Sequence, residues 1–219
     1  MGLFDIIGPV MIGPSSSHTA GAARLGKMAR AILGEKPVSA VISLYGSFAR
    51  NYKGHGTDKA LAAGLLGISA DDTRIKDALT LAGLSGVQIT FETRENSDVH
   101  PNTAEFDLVG AAGRKVRIIG ASVGGGRIII TGINEYQVEL TGDYTTLLVV
   151  YKDEPGIVAG ITQVLARENV NIAFMRVSRR GKGGQAMMIL ELDQPVPDKT
   201  LEEINSASSI ESAIMVQMP

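Results

Sequence analysis

The chain has 219 residues, 44% hydrophobic and 20% charged, enough for one sizeable core or two modest domains. A net charge of −2 excludes the basic footprint expected of a nucleic-acid or anionic-membrane binder. There is no cysteine, so the chain alone can build neither a disulfide framework nor a Cys-ligated zinc or iron–sulfur site, and a cytoplasmic location fits.

The opening residues, MGLFDIIGPVMIG, are apolar but lack a basic flank, carry Asp5 and are broken by Gly8-Pro9. They make a poor signal peptide, and Ile6 breaks the myristoylation pattern after Gly2. No uninterrupted apolar run reaches the roughly 18 residues of a membrane span. Next comes GPSSSHTAGAARLGKMARAIL, from Gly13 to Leu33. Leu25, Met28, Ala29 and Ile32 fall at helical spacing, which predicts a helix from Thr19 to Leu33 stopped by Gly34. Ser16, Ser17 or Thr19 would cap it, while three consecutive hydroxyls exceed what one cap needs. Hydroxyls and free backbone N–H groups at a helix N-terminus also suit a carboxylate or phosphate.

VSAVISLYGS (38–47) is β-branched and predicts a strand. TDKALAAGLLG from Thr57 predicts a helix with Thr57 or Asp58 at its start, and DDTRIKDALTLAG from Asp71 another, closed by Gly83. VQITFET, AEFDLVG, RKVRIIGAS, RIIITGI and EYQVELTG then read as short strands separated by Gly and Asn turns. The expected fold class is α+β, with a mixed α/β domain over residues 1–142. After Thr141-Gly142-Asp143, residues 145–219 read strand, helix, strand, strand, helix, strand, the ferredoxin-like βαββαβ order.

All three histidines stand in unusual contexts. His18 follows the serines, His55 sits between two glycines in KGHGTDKA, and His100 precedes a proline in DVHPNTAE. Gly54 and Gly56 would let another chain or ligand approach His55, and the helix after it would aim N–H groups at the same place. Pro101 biases His100 to an extended loop conformation. A surface cap or turn remains the alternative for each. SVGGGRIII offers Gly124, Gly125 and Gly126 as a backbone cradle for an anion or as a plain β-turn. No Gly-Lys-Ser/Thr follows, so it is not a nucleotide P-loop. A serine-hydrolase reading is weak, since there is no G-x-S-x-G elbow.

The βαββαβ stretch, with KDEPGIVAGI and NVNIAFM, resembles the ACT domain. That resemblance implies an amino-acid effector site, with Asp153, Gly156 and Asn171 as candidates, and homodimerisation through this domain. The bland alternative is that Asp153 and Pro155 simply start a helix. IGPSSSHTAGAARLG, YGSFARNYKGHGTDKA, DVHPNTAEF and SVGGGRI, followed by the ACT pattern, resemble in order the β chain of bacterial iron–sulfur-dependent L-serine dehydratases. The first domain also resembles the allosteric substrate-binding domain of some phosphoglycerate dehydrogenases.

The resemblance implies a lyase converting L-serine to pyruvate and ammonia. It also implies an α subunit whose cysteines hold a [4Fe–4S] cluster, leaving this chain inactive alone. An open iron would activate the poor hydroxyl leaving group, and a histidine suits removal of the weakly acidic α-proton. By the same resemblance His55 is the catalytic base, Ser16, Ser17, His18 and Thr19 bind the substrate carboxylate, and His100 and Asn102 line the pocket. No metal ligand is assigned to this chain. A regulatory amino-acid-binding module is the competing class, against which the Gly-flanked His55 argues. A pyridoxal-phosphate dehydratase is disfavoured, since nothing marks a Schiff-base lysine.

Overall fold

A computed structural model describes residues 10–217, so the N-terminal stretch through Pro9 and the end of the last expected strand lie outside the described residues. The chain divides into two compact units. The first comprises residues up to Asn134 plus Val138–Thr141, and the second Glu135–Gln137 plus Gly142 onward.

In the first unit a short π-helical turn (Ser16–Gly21) runs directly into α1 (Ala22–Leu33), which ends on left-handed Gly34 as its sequence predicts. β1 (Pro37–Tyr45) follows, then α2 (Gly46–His55), α3 (Thr57–Leu65), a 3-10 turn (Thr73–Asp77) and α4 (Ala78–Leu84). These helices form the crossover that lets β2 (Gln88–Arg94) lie parallel to β1. β3 (Thr103–Gly110), β4 (Lys115–Gly124) and β5 (Arg127–Ile133) continue as an antiparallel meander. With β6 (Tyr136–Leu140) they complete a six-stranded sheet in the order β2-β1-β3-β4-β5-β6.

Strand periodicity decides which face is buried. Ala40, Ile42 and Leu44 of β1, Ala104, Phe106 and Leu108 of β3, Val116 and Ile118 of β4, and Ile128 and Ile130 of β5 are all buried. Leu25, Met28, Ala29, Ile32 and Leu33 of α1 complete this core, with α1 packed on β3 and β4. α1 and α3 cross at close range. A Cβ on Gly26 would lie 2.3 Å from the Leu61 carbonyl oxygen, and one on Gly64 would lie 2.1 Å from that of Ala23.

α3 starts at Thr57 with Asp58 in its first turn, as expected, although neither side chain caps it: Gly56 holds the cap position, Thr57 is fully buried, and Asp58 accepts the Lys59 N–H. Two local expectations are corrected. The stretch from Asp71 starts as a 3-10 turn capped by Asp72, and its α-helix runs through Gly83 to end near Ser85-Gly86. α2 was not expected at all, for a reason that lies in the site.

The second unit is β7 (Thr145–Lys152), α5 (Ile157–Arg167), β8 (Ile172–Arg179), β9 (Gln185–Leu192), α6 (Asp198–Ser206) and β10 (Ile210–Val216). The sheet order β10-β7-β9-β8 is that of a ferredoxin-like fold, as the sequence indicates. Leu147, Val149 and Tyr151 of β7, Met188 and Leu190 of β9, and Ile161 and Leu165 of α5 are central to its core. β8 is an edge strand whose Phe174, Met175 and Val177 are 59%, 49% and 43% exposed.

Candidate functional site

The serine run is built as one widened helical turn, a geometry that recurs at functional positions. Ser15, extended at φ −148° and ψ 130°, is its cap: its Oγ accepts the His18 backbone N–H at 3.3 Å, and its carbonyl accepts that of Thr19 at 2.8 Å. Such a cap contributes about 1 kcal/mol. Capping therefore falls to Ser15, and Ser16, Ser17 and Thr19 are not needed for it.

His18 is buried at 9% exposure, with both ring nitrogens near a serine. Ser15 Oγ lies 3.4 Å from Nδ1, and Ser47 Oγ lies 3.3 Å from Nε2. Phe48 meets the ring edge-on at 5.2 Å between centroids, and the His55 ring lies 4.8 Å away, tilted by 42°. His18 and His55, far apart in sequence, are thus neighbours.

α2 makes this pairing. It has no side-chain cap; instead the Pro101 carbonyl accepts the N–H groups of Ser47 at 2.7 Å and Phe48 at 3.2 Å. Gly46, at φ +53°, passes so close that a Cβ there would lie 2.7 Å from Pro101 Cα. His55 is the last residue of α2, exposed, and left-handed Gly56 turns the chain into α3. Gly54, by contrast, is an ordinary helical residue with open space around it.

Burial is the main cause that lowers the His18 pKa below the ordinary value near 6.5, and a charge on His55 acts the same way; hydrogen bonding to the Ser47 backbone opposes both. Because the folded-state value is depressed, the unfolded chain takes up this proton more readily. Stability is therefore fully present above pH 6.5 and declines as pH falls through 6.5 and the lower folded-state value. We expect urea unfolding to show this acid-side loss in the native chain and a flatter response in His18→Gln. Equal slopes in the two proteins would remove His18 as its source.

His55 faces a cleft of 320 Å³ lined also by Pro14, Thr19, Lys53, Lys59 and Lys76. No acidic residue is among its described lining. Thr19 is 3% exposed and its Oγ1 has no hydrogen-bond partner among the described residues, although a buried hydroxyl left unpaired costs about 1–3 kcal/mol. Three lysines in the lining of one cleft, with a hydroxyl left unpaired there, suit an anionic group such as a carboxylate, although the Lys53 ammonium also lies 5.7 Å from the Tyr52 ring centroid. A larger hollow of 610 Å³, between the start of α2 and the 93–101 segment, includes Arg50 and Arg94 but neither His18 nor His55.

Ser122 approaches the serine turn from the sheet side. It is fully buried, its Oγ is unpartnered among the described residues, and a Cβ on Gly21 would lie 2.0 Å from it. Asn102 lies beside it, with the Ser122 N–H donating to the Asn102 carbonyl at 3.0 Å and the Asn102 Oδ1 unpartnered. His100 is exposed on the same loop, and its Nδ1 accepts the Asn102 N–H at 3.1 Å. Among the described residues no contact joins His100 to His18 or His55. Gly124, Gly125 and Gly126, all left-handed, form the β4–β5 hairpin turn.

In the second unit, Gly156 at φ 94° precedes α5. Asp153 does not start that helix: its carboxylate accepts from Arg179 and from the Gly183 N–H, both at 3.3 Å, which ties it to the β8–β9 turn. Asn171 donates to Asp193 at 2.8 Å. These contacts engage Asp153 Oδ2 and Asn171 Nδ2.

Sequence reasoning missed Ser47, Ser122 and the three cleft lysines. Ser47 lies inside the quoted YGSFARNYKGHG, but only the unforeseen α2 turns it toward His18. Nothing in the spacing of Lys53, Lys59 and Lys76 marks them as neighbours.

Fold and site together describe a paired-histidine α/β unit joined to an ACT domain. The serine dehydratase beta chain family profile matches residues 2–82, and the ACT domain profile matches residues 145–208. The probable L-serine dehydratase beta chain of Bacillus subtilis (strain 168) is 45% identical over 208 residues, spanning 95% of this chain and 94% of that protein. The L-serine dehydratase beta chain of Peptoniphilus asaccharolyticus is 33% identical over 216 residues, spanning 98% and 97%. The chain belongs to the L-serine dehydratase beta-chain family. A D-3-phosphoglycerate dehydrogenase of Synechocystis sp. (strain ATCC 27184 / PCC 6803 / Kazusa) is 37% identical over 99 residues, 45% of this chain and 18% of that protein.

Proposed function

We propose that this chain is the β subunit of an L-serine dehydratase, which forms pyruvate and ammonia together with a cysteine-bearing α subunit. The observation that carries the catalytic reading is exposed His55 resting on buried His18 at a lysine-rimmed cleft. In this reading the cleft receives L-serine, with its carboxylate beside Lys53, Lys59, Lys76 and the Thr19 hydroxyl. Ser16 and Ser17 shape the turn that presents Thr19. His55 takes the α-proton, and exposure lets it return that proton to solvent. His18 backs the His55 ring, while Asn102, Ser122 and the His100 loop brace the turn and the start of α2.

A [4Fe–4S] cluster does not fit on this chain's own donors. The sequence has no cysteine, and the described residues contain no group of three or more His, Cys, Asp or Glu side chains that could hold a metal ion. The cluster, and the activation of the serine hydroxyl with it, is therefore assigned to the α subunit. The test is to combine the chain anaerobically with the cysteine-bearing partner, iron and sulfide, and to measure pyruvate formed from L-serine.

The ACT unit supplies β–β association in the same reading. An exposed edge strand carrying Phe174, Met175 and Val177 is a template for pairing with a second copy. Phe174→Asp is expected to shift the chain to a monomer in sedimentation equilibrium, and an unchanged dimer would exclude this edge. Asp153, Gly156 and Asn171 remain the effector candidates, with Asp153 and Asn171 released from Arg179 and Asp193 on binding.

A further inference from the structure

Ser15 accepts the backbone N–H of His18 through its Oγ, so the Ser15 hydroxyl proton is free to point at the nearby Nδ1. That arrangement makes Nδ1 an acceptor and favours the ring proton of the neutral imidazole on Nε2, since Ser15 Oγ already accepts one N–H. Ser47 Oγ, 3.3 Å from Nε2, then stands where it accepts from an Nε2–H. The two serines enclose one tautomer, and they come from different elements, one ahead of the π-helical turn and one in the first turn of α2.

The same ring contacts His55, which α2 carries at its other end. His18 therefore touches both ends of that helix, through Ser47 and through His55. Phe48 holds its edge, and the charged group that acts on it is His55, with Lys53, Lys59 and Lys76 arranged around the cleft that His55 faces.

Resting on the reading of His55 as the base, we propose that Ser47, with Ser15 opposite, is a positioning residue that locks His18 as its Nε2–H tautomer and so fixes the His55 ring. Neither serine need touch the substrate for this role. A base displaced by about 1 Å loses up to a hundredfold in rate, so the expected effect falls on kcat rather than on KM.

The test uses Ser47→Ala and Ser47→Thr in the full chain. Side-chain ¹⁵N–¹H correlation spectra distinguish Nδ1–H from Nε2–H imidazole. Native His18 should report Nε2–H, Ser47→Ala should give a mixture, and Ser47→Thr, which keeps the hydroxyl, should restore the native pattern. An Nδ1–H ring in the native chain, or no change in Ser47→Ala, overturns the lock. In the complex with the α subunit, Ser47→Ala should lower kcat about 10- to 100-fold with KM within about twofold, and Ser47→Thr should recover most of it. A shifted tautomer with native kcat overturns the positioning role. If the native complex does not turn over L-serine while the spectra behave as expected, the proposed function fails and the lock stands.

Discussion

Replacing His55 by alanine is expected to lower turnover of L-serine by about 10²–10⁴-fold while the subunits still assemble. The separation of the two effects follows from where the residue sits. His55 is the exposed last residue of α2, and the side chain of this helix that is buried in the core is Phe48. Truncation at residue 55 therefore removes an imidazole from the cleft mouth without opening a cavity. General-base catalysis by a positioned histidine accounts for an effect of that size, about 3–5 kcal/mol in barrier. The measurement is kcat in the reconstituted complex, alongside size-exclusion of the assembled subunits. Turnover within a few-fold of native would remove His55 as the base and shift attention to His100, whose ring is also exposed.

The second large effect is all-or-none. Alone, the chain should form no pyruvate from L-serine under any metal supplement, because it has no cysteine and its described residues contain no group of three or more His, Asp or Glu side chains to seat a cluster. Mixed anaerobically with the cysteine-bearing α subunit, iron and sulfide, it should gain activity that saturates at a fixed ratio of the two chains. Activity in the isolated chain would overturn the division of labour. Failure of every such mixture, with both chains folded, would sink the enzyme reading and favour an amino-acid-binding regulatory module.

The sheet and most helices were legible because burial imposes a period. Ala40, Ile42 and Leu44 alternate, and Leu25, Met28, Ala29 and Ile32 recur at helical spacing, so the sequence carries both patterns openly. α2 was illegible because its stabilising contacts are not local. GSFARNYKGH buries only Phe48, and its first N–H groups are received by a carbonyl beyond two further α-helices, a 3-10 turn and β2. The cap of the serine turn was misassigned for a subtler reason. Four neighbouring residues carry suitable hydroxyls, and only the π geometry singles out Ser15. The site was legible in its residue types and illegible in its contacts. The odd settings of His18 and His55 drew attention to both, yet nothing in the sequence placed one ring against the other.

The Pro101 carbonyl has a bearing on how the site comes into being. A ten-residue helix with no side-chain cap and one core residue is far below the length at which an isolated helix persists in water. α2 is therefore ordered only once the segment before β3 has arrived to receive its first N–H groups, which makes it a late event in folding and an early one to open. Its amides should exchange with solvent ahead of those in the sheet strands. A fragment ending before Pro101 would carry both His18 and His55 and lack the atom that starts the helix holding them together.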